Sequence, residues 1–167
     1  MEFASWVSLR FTANPFNCFL RNLSCFRNRG TLLINYRFSG MCLIFLALNR
    51  HPSYKLIVAA NRDEFYARKT APAHFWQDHP NILGGRDLEA SGTWMAMNKN
   101  GKISLVTNYR DPANINPKAP SRGQLVSDFL VNGDTPEEYL SKISSRASQY
   151  NGFNLLTGYP DELWYLS

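Results

Sequence analysis

Cys42-Leu43-Ile44-Phe45-Leu46-Ala47-Leu48-Asn49 is an apolar run with its polar residue at the end, and Lys55-Leu56-Ile57-Val58-Ala59-Ala60 is a second one close behind. His51-Pro52-Ser53 lies between them. Short apolar runs bounded by turn residues predict strands, and two of them joined by a few polar residues predict a hairpin. Residues 92–97 and 102–107 predict two further strands. Asn98-Lys99-Asn100-Gly101 joins them, and Asn and Gly tolerate the positive φ of a tight hairpin turn. Between the two pairs the chain reads as a loop carrying Phe65, Tyr66, Phe75 and Trp76, with Gly84-Gly85-Arg86 as a tight turn.

A Pro- and Asn-rich loop follows over residues 111–120. Ser121 is placed to cap a helix over residues 122–131, which puts Leu125, Val126, Phe129 and Leu130 on one face, and Gly133 is placed to end it. Thr135-Pro136-Glu137-Glu138 then supplies a cap, a first-turn proline and a capping-box acid. That second helix buries Tyr139, Leu140, Ile143 and Ala147. Residues 153–157 and 163–166 read as another strand pair around Gly158-Tyr159-Pro160-Asp161. Four strands, two helices and more strands predict an α+β fold with a largely antiparallel sheet. The sequence ends on a predicted strand, and a sheet edge left there predicts that further chain completes the fold.

Composition narrows the function classes. Of the 167 residues, 44% are hydrophobic and 19% charged, which excludes disorder as the main state. No run approaches the ~18 apolar residues of a membrane-spanning helix. Three cysteines are too few and too irregular for a disulfide scaffold or zinc ribbon. The net charge of +5 is unevenly placed: residues 1–40 carry five arginines and one acid, whereas residues 41–167 carry thirteen basic and twelve acidic residues. A nearly neutral main part without a basic stripe argues against a nucleic-acid partner. His51, His74 and His79 read as surface or packing histidines, because their spacing in a loop does not suit zinc, so neither metal nor cofactor is expected.

Asn61-Arg62-Asp63-Glu64 stands directly after the second apolar strand. Taken alone it reads as a solvated strand-to-loop turn, and Cys42 alone as a small buried thiol. The predicted hairpin, however, returns Arg62 and Asp63 to the start of the first strand, so that a thiol, a guanidinium and a carboxylate meet at one sheet end. Trp76 and Trp94 read as core aromatics, with the lining of an apolar substrate pocket as the alternative.

Met41-Cys42-Leu43-Ile44, Ala59-Ala60-Asn61-Arg62-Asp63-Glu64-Phe65-Tyr66, Gly92-Thr93-Trp94, Thr107-Asn108-Tyr109-Arg110, Ser121-Arg122-Gly123-Gln124-Leu125-Val126 and Tyr150-Asn151-Gly152-Phe153-Asn154-Leu155 follow one another in order. The set resembles the NRDE family, which includes the transport-and-Golgi-organisation protein 2 homologues, over residues 41–167. The resemblance implies that Met41 is the true start and that residues 1–40 are an upstream extension; an Arg-rich leader for an organelle, in effect mitochondrial, is the alternative to a cytoplasmic protein. It implies that the matching part is about half of a family member.

The family is similar to cysteine N-terminal nucleophile hydrolases, which implies a four-layer αββα sandwich. It also implies a small-molecule amide as substrate, cleaved at a C–N bond outside peptides. Cys42 would be the nucleophile and its own α-amine, with a reference pKa of about 8, the base. Arg62 would hold the thiolate or substrate, Asp63 would orient the amine, and Asn108 would donate to the oxyanion. Asn61, Trp76 and Trp94 would contact substrate. In the sequence as it stands Cys42 is internal and its nitrogen an amide, so this chemistry needs residues 1–41 to be absent. The rival is a binding or trafficking protein of the same fold, handling heme, an acyl lipid or another apolar ligand in the setting of Golgi organisation and secretion.

Overall fold

The computed structural model describes residues 6–9, 42–109 and 111–167. The leader expected over residues 1–40, the start at Met41 and Arg110 therefore lie largely or wholly outside the described residues.

The fold is α+β, and every strand pairing is antiparallel. Its strands are β1 (Trp6–Leu9), β2 (Ile44–Leu48), β3 (Leu56–Ala60), β4 (Thr70–Phe75), β5 (Ile82–Asp87), β6 (Met95–Asn98), β7 (Ile103–Asn108), β8 (Phe153–Tyr159) and β9 (Glu162–Leu166). Its helices are α1 (Gly123–Val131) and α2 (Pro136–Ser144). A seven-stranded sheet runs in the order β1-β9-β8-β7-β6-β5-β4, and β2 and β3 form a sheet of their own.

Alternation along the strands sorts the core into two sides. Ala96, Phe153, Leu155 and Leu166 face α1 and α2, where Leu125, Phe129, Leu140 and Ile143 complete the larger core. Ile103, Leu105, Leu156 and Leu163 point the other way, against Ile44, Leu48, Leu56 and Val58 of the β2–β3 hairpin. Helices, large sheet and hairpin thus make three layers.

Both helices follow from their sequence, with one change at a terminus. Thr135 accepts from Glu138 N at 3.3 Å and Glu138 Oε2 accepts from Thr135 N at 2.9 Å, which completes the expected capping box. At α1 the cap position belongs to Arg122 rather than Ser121, and no side chain caps it. The far end of α1 is held differently. Lys102, 7% exposed, donates from Nζ to Asn132 O at 2.8 Å and Asp134 O at 2.7 Å, and lies 4.6 Å over the Phe129 ring.

The stretch expected to be a loop contains β4 and β5, and Gly84-Gly85-Arg86 is not a turn but the middle of β5. A Cβ at Gly84 would lie 2.5 Å from the Ala96 Cβ, and one at Gly85 would lie 2.5 Å from the Trp94 ring. Glycine here permits close approach within a sheet, and does not signal chain reversal. Strand β4 is an edge strand, which is where Pro72 can be tolerated, and its register shifts between Ala71 and His74. The third expected strand starts at Met95 instead of residue 92. The reason is that Gly92 and Thr93 pack against α1: a Cβ on Gly92 would lie 2.5 Å from the carbonyl carbon of Gly123.

Candidate functional site

The β2–β3 register pairs Ile44 with Ala60. Its continuation beyond the strand ends fixes the thiol. Asn61 N donates to Leu43 O at 3.2 Å, and Asn61 Oδ1 accepts from Leu43 N at 2.7 Å. Two residues after Asn61, Asp63 N donates to Cys42 Sγ at 3.3 Å. The hairpin therefore returns Asn61-Arg62-Asp63 to Cys42, as the two apolar runs predicted. Asn61 acts here as the clip that closes the ladder.

Cys42 opens into a cleft of about 280 Å³ whose walls include Arg62, Asp63, Glu64, Arg68, Thr93, Trp94, Asn108 and Arg122. All four expected catalytic positions, Cys42, Arg62, Asp63 and Asn108, are among its lining residues. Asn108 stands at the exposed end of β7. Arg62 lies 4.3 Å over the ring of Trp94 and 3.5 Å from Glu64 Oε2. Of the three positions expected to contact substrate, Trp94 lines the cleft. Trp76 does not. It is 2% exposed in the helix-side core, donates from Nε1 to Gly84 O at 3.1 Å, and is covered by Arg86, whose guanidinium sits 4.1 Å from the ring centre.

An ion-pair network forms one wall. Asp87 Oδ2 accepts from Arg68 Nε at 2.9 Å and Nη2 at 2.7 Å, while Oδ1 accepts from the backbone N–H groups of Glu89 and Ala90. Arg68 also lies 3.8 Å from Glu64. Burial pushes the Asp87 carboxyl up, but the bonds from Arg68 and the two amides outweigh it and hold it below the usual carboxylate value.

Arg122 enters from the start of α1 and donates from Nη1 to Gly152 O at 2.9 Å. Burial lowers its affinity for its proton, against the raising effect of Glu64 and Cys42. Asn151 exchanges two hydrogen bonds with the backbone of Asn116 and so ties down the loop whose Ala119 and Pro120 also border the cleft.

Arg68, Asp87, Thr93 and Arg122 were not among the expected site residues. Arg122 and Thr93 stand inside the Ser-Arg-Gly and Gly-Thr-Trp motifs, and the signal available was that both motifs carry the glycine needed where they touch. Among the described residues no group of three or more His, Cys, Asp or Glu side chains is arranged to hold a metal ion. His51 and His74 are exposed.

A thiol clipped to an Asn-Arg-Asp turn at the mouth of a cleft is the part of the molecule best compared with known proteins. The family model for Transport and Golgi organisation 2 matches residues 41–167. The chain belongs to that family. Similar proteins include the mouse Transport and Golgi organization 2 homolog, 43% identical over 123 residues, and the human homolog, 42% identical over the same length. Each match covers 70% of this chain and 44% of the relative. The Drosophila melanogaster Transport and Golgi organization protein 2 is 33% identical over 132 residues, 70% of this chain and 45% of its own. The chain thus spans less than half the length of the Transport and Golgi organisation relatives it matches. Among the described residues no helix is long and apolar enough to cross a membrane.

Proposed function

We propose that this member of the Transport and Golgi organisation 2 family is a cysteine amidohydrolase of the N-terminal nucleophile type, acting on linear, non-peptide amides. The observation that carries the proposal is the convergence of Cys42, Arg62, Asp63 and Asn108 on one cleft. The chemistry requires a chain that begins at Cys42. Its α-amine takes the thiol proton, and the thiolate adds to the amide carbon. The electron pair displaced onto oxygen is stabilised by the Asn108 side-chain N–H, a contact worth about 3 kcal/mol in comparable enzymes. Collapse breaks the C–N bond, and the leaving nitrogen takes the proton from the ammonium. Water, deprotonated by the same amine, then hydrolyses the thioester and restores the thiol. Arg62 and Asp63 orient the substrate and the amine.

A four-layer αββα sandwich belongs to this proposal. Its support is the outer face of the hairpin, where Phe45 is 63% exposed and Ile57 and the alanines share its apolar character. A hairpin apolar on both faces suits cover on both. A cytoplasmic setting completes the proposal, since a free thiol persists there. The test is an acyl-amide panel with protein from its native host, whose N-terminal residue is determined first. Turnover lost in Cys42→Ala supports the proposal; a mature chain that retains Met1, or no turnover across the panel with Cys42 N-terminal, overturns it.

A second reading, a binding protein with a role in Golgi organisation or secretion, is favoured by one observation. A cavity of about 580 Å³ lies between hairpin and large sheet, lined mainly by apolar groups including Leu56, Val58, Leu83, Met95 and Ile103. Trp94 borders both this cavity and the cleft. Copurified heme or acyl lipid would support it; a ligand-free protein with amidase activity would count against it.

A further inference from the structure

We infer that Arg122 is the anion-recognising group of the Cys42 cleft, and that the ligand carries a small anionic group, such as a carboxylate, beside the atom the thiol attacks. This deepens the amidohydrolase proposal and rests on it for the bond that is cleaved, but its test needs no turnover.

Among the described residues three guanidinium groups reach the cleft, and two are already matched. Arg62 lies against Glu64 at 3.5 Å and over Trp94, and Arg68 is bound by Asp87 at 2.7 Å with Glu64 and Glu89 within 4 Å. The same contacts engage Glu64 and Asp87. Arg122 has no carboxylate within 4 Å among the described residues, and its hydrogen bond is to a neutral carbonyl, Gly152 O.

A guanidinium offers five N–H donors, and one bond uses one of them. Glu64 and Cys42 act on Arg122 only from a distance, and burying such a group without a carboxylate in contact is unfavourable, a deficit that an anionic ligand would make good. Its position is fixed at both ends. The Gly92–Gly123 contact sets the backbone, and Gly152 sets the tip. The planar fork that remains suits a two-oxygen anion better than a point cation would.

The experiment measures the rate of Cys42 alkylation in the intact protein by iodoacetate, an anion, and by iodoacetamide, a neutral reagent of nearly the same shape. Peptide mass spectrometry separates Cys42 from Cys18 and Cys25. Taking the ratio of the two rates cancels any change in the thiolate fraction. Arg122→Gln is expected to lower the iodoacetate-to-iodoacetamide ratio about tenfold, and Arg122→Lys to recover part of it. A ratio unchanged within about twofold in Arg122→Gln overturns the inference, as does a Cys42 that neither reagent modifies.

If Arg122→Gln does not fold, inorganic phosphate at fixed ionic strength decides the matter in the unaltered protein. Slower iodoacetate labelling with a smaller effect on iodoacetamide supports the anion site, and equal rates with and without phosphate remove it. The two proposals fail separately. Turnover of neutral amides with an unchanged alkylation ratio leaves the hydrolase without the anion site, and the opposite pattern leaves the anion site without the hydrolase.

Discussion

Asp87→Asn isolates the wall of the cleft. The Asp87 side chain takes four hydrogen bonds, two from Arg68 and two from the backbone N–H groups of Glu89 and Ala90. Asparagine has one acceptor oxygen, so it can satisfy one pair of donors but must present its NH₂ to the other. Two bonds to a charged group are worth about 1.5–3 kcal/mol each. Arg68 is 29% exposed and regains water when released, which reduces the net loss to about 3 kcal/mol. For a domain of this size that is a fall in Tm of roughly 10 °C at pH 7.

The pH dependence has a definite sign. The folded carboxyl titrates below its unfolded value of about 3.9, so its contribution is complete above that pH and is lost as pH falls through the folded value. Thermal melts of both proteins from pH 7 down to pH 3 should show the gap between them closing at the acid end. A gap below about 1 kcal/mol at pH 7, or one that stays constant to pH 3, would refute this account of the wall.

Lys102→Met removes the ammonium that holds the carbonyls after α1 while keeping much of the apolar stem. A loss of about 2 kcal/mol is expected, together with faster amide hydrogen exchange over residues 132–135, and a neutral or stabilised variant would show that burying the charge costs more than its bonds return. Ser104 and Thr157 face each other across β7 and β8, and their buried hydroxyls have no hydrogen-bond partner among the described residues. Thr157→Val should therefore be neutral or stabilise by up to about 1 kcal/mol in a denaturant titration, whereas a clear loss would mean that the hydroxyl is satisfied.

What could be foreseen from sequence was what is local. The hairpin from Ile44 to Ala60 was legible because its apolar runs are short and bounded by polar residues, and the second helix because Thr135, Pro136 and Glu138 sit in consecutive capping roles. Strands β4 and β5 were hidden for opposite reasons. The first is an exposed edge with a proline, and the second carries paired glycines whose purpose is set by Ala96 and Trp94, ten or so residues away. The approach of Arg62 and Asp63 to Cys42 was legible because a hairpin suffices to set it, whereas Asn108 was named through the family resemblance. Arg122 and Asp87 were not foreseen, since no hairpin legible in the sequence joins either to its partner, Gly152 or Arg68. Trp76 and Trp94 read alike from sequence, as core aromatics or as pocket lining; the structure puts Trp76 in the helix-side core and Trp94 on the cleft, a division set by packing that neither residue's neighbours in sequence display.

The clip between Asn61 and Leu43 gives the hairpin the character of a measuring device. The thiol's place is set by counting residues along two arms from a shared register, with no reference to the chain that joins them. The connection over residues 49–55 can therefore be lengthened by insertion at little cost to the geometry of Cys42. A single residue added between Leu56 and Asn61 would slip the count by one, turn Asn61 away from Leu43, and take the Asp63 N–H from the Cys42 thiol. Paired insertions, one in each region, would separate the two effects directly, and would mark the arms as the part of this segment that cannot vary in length.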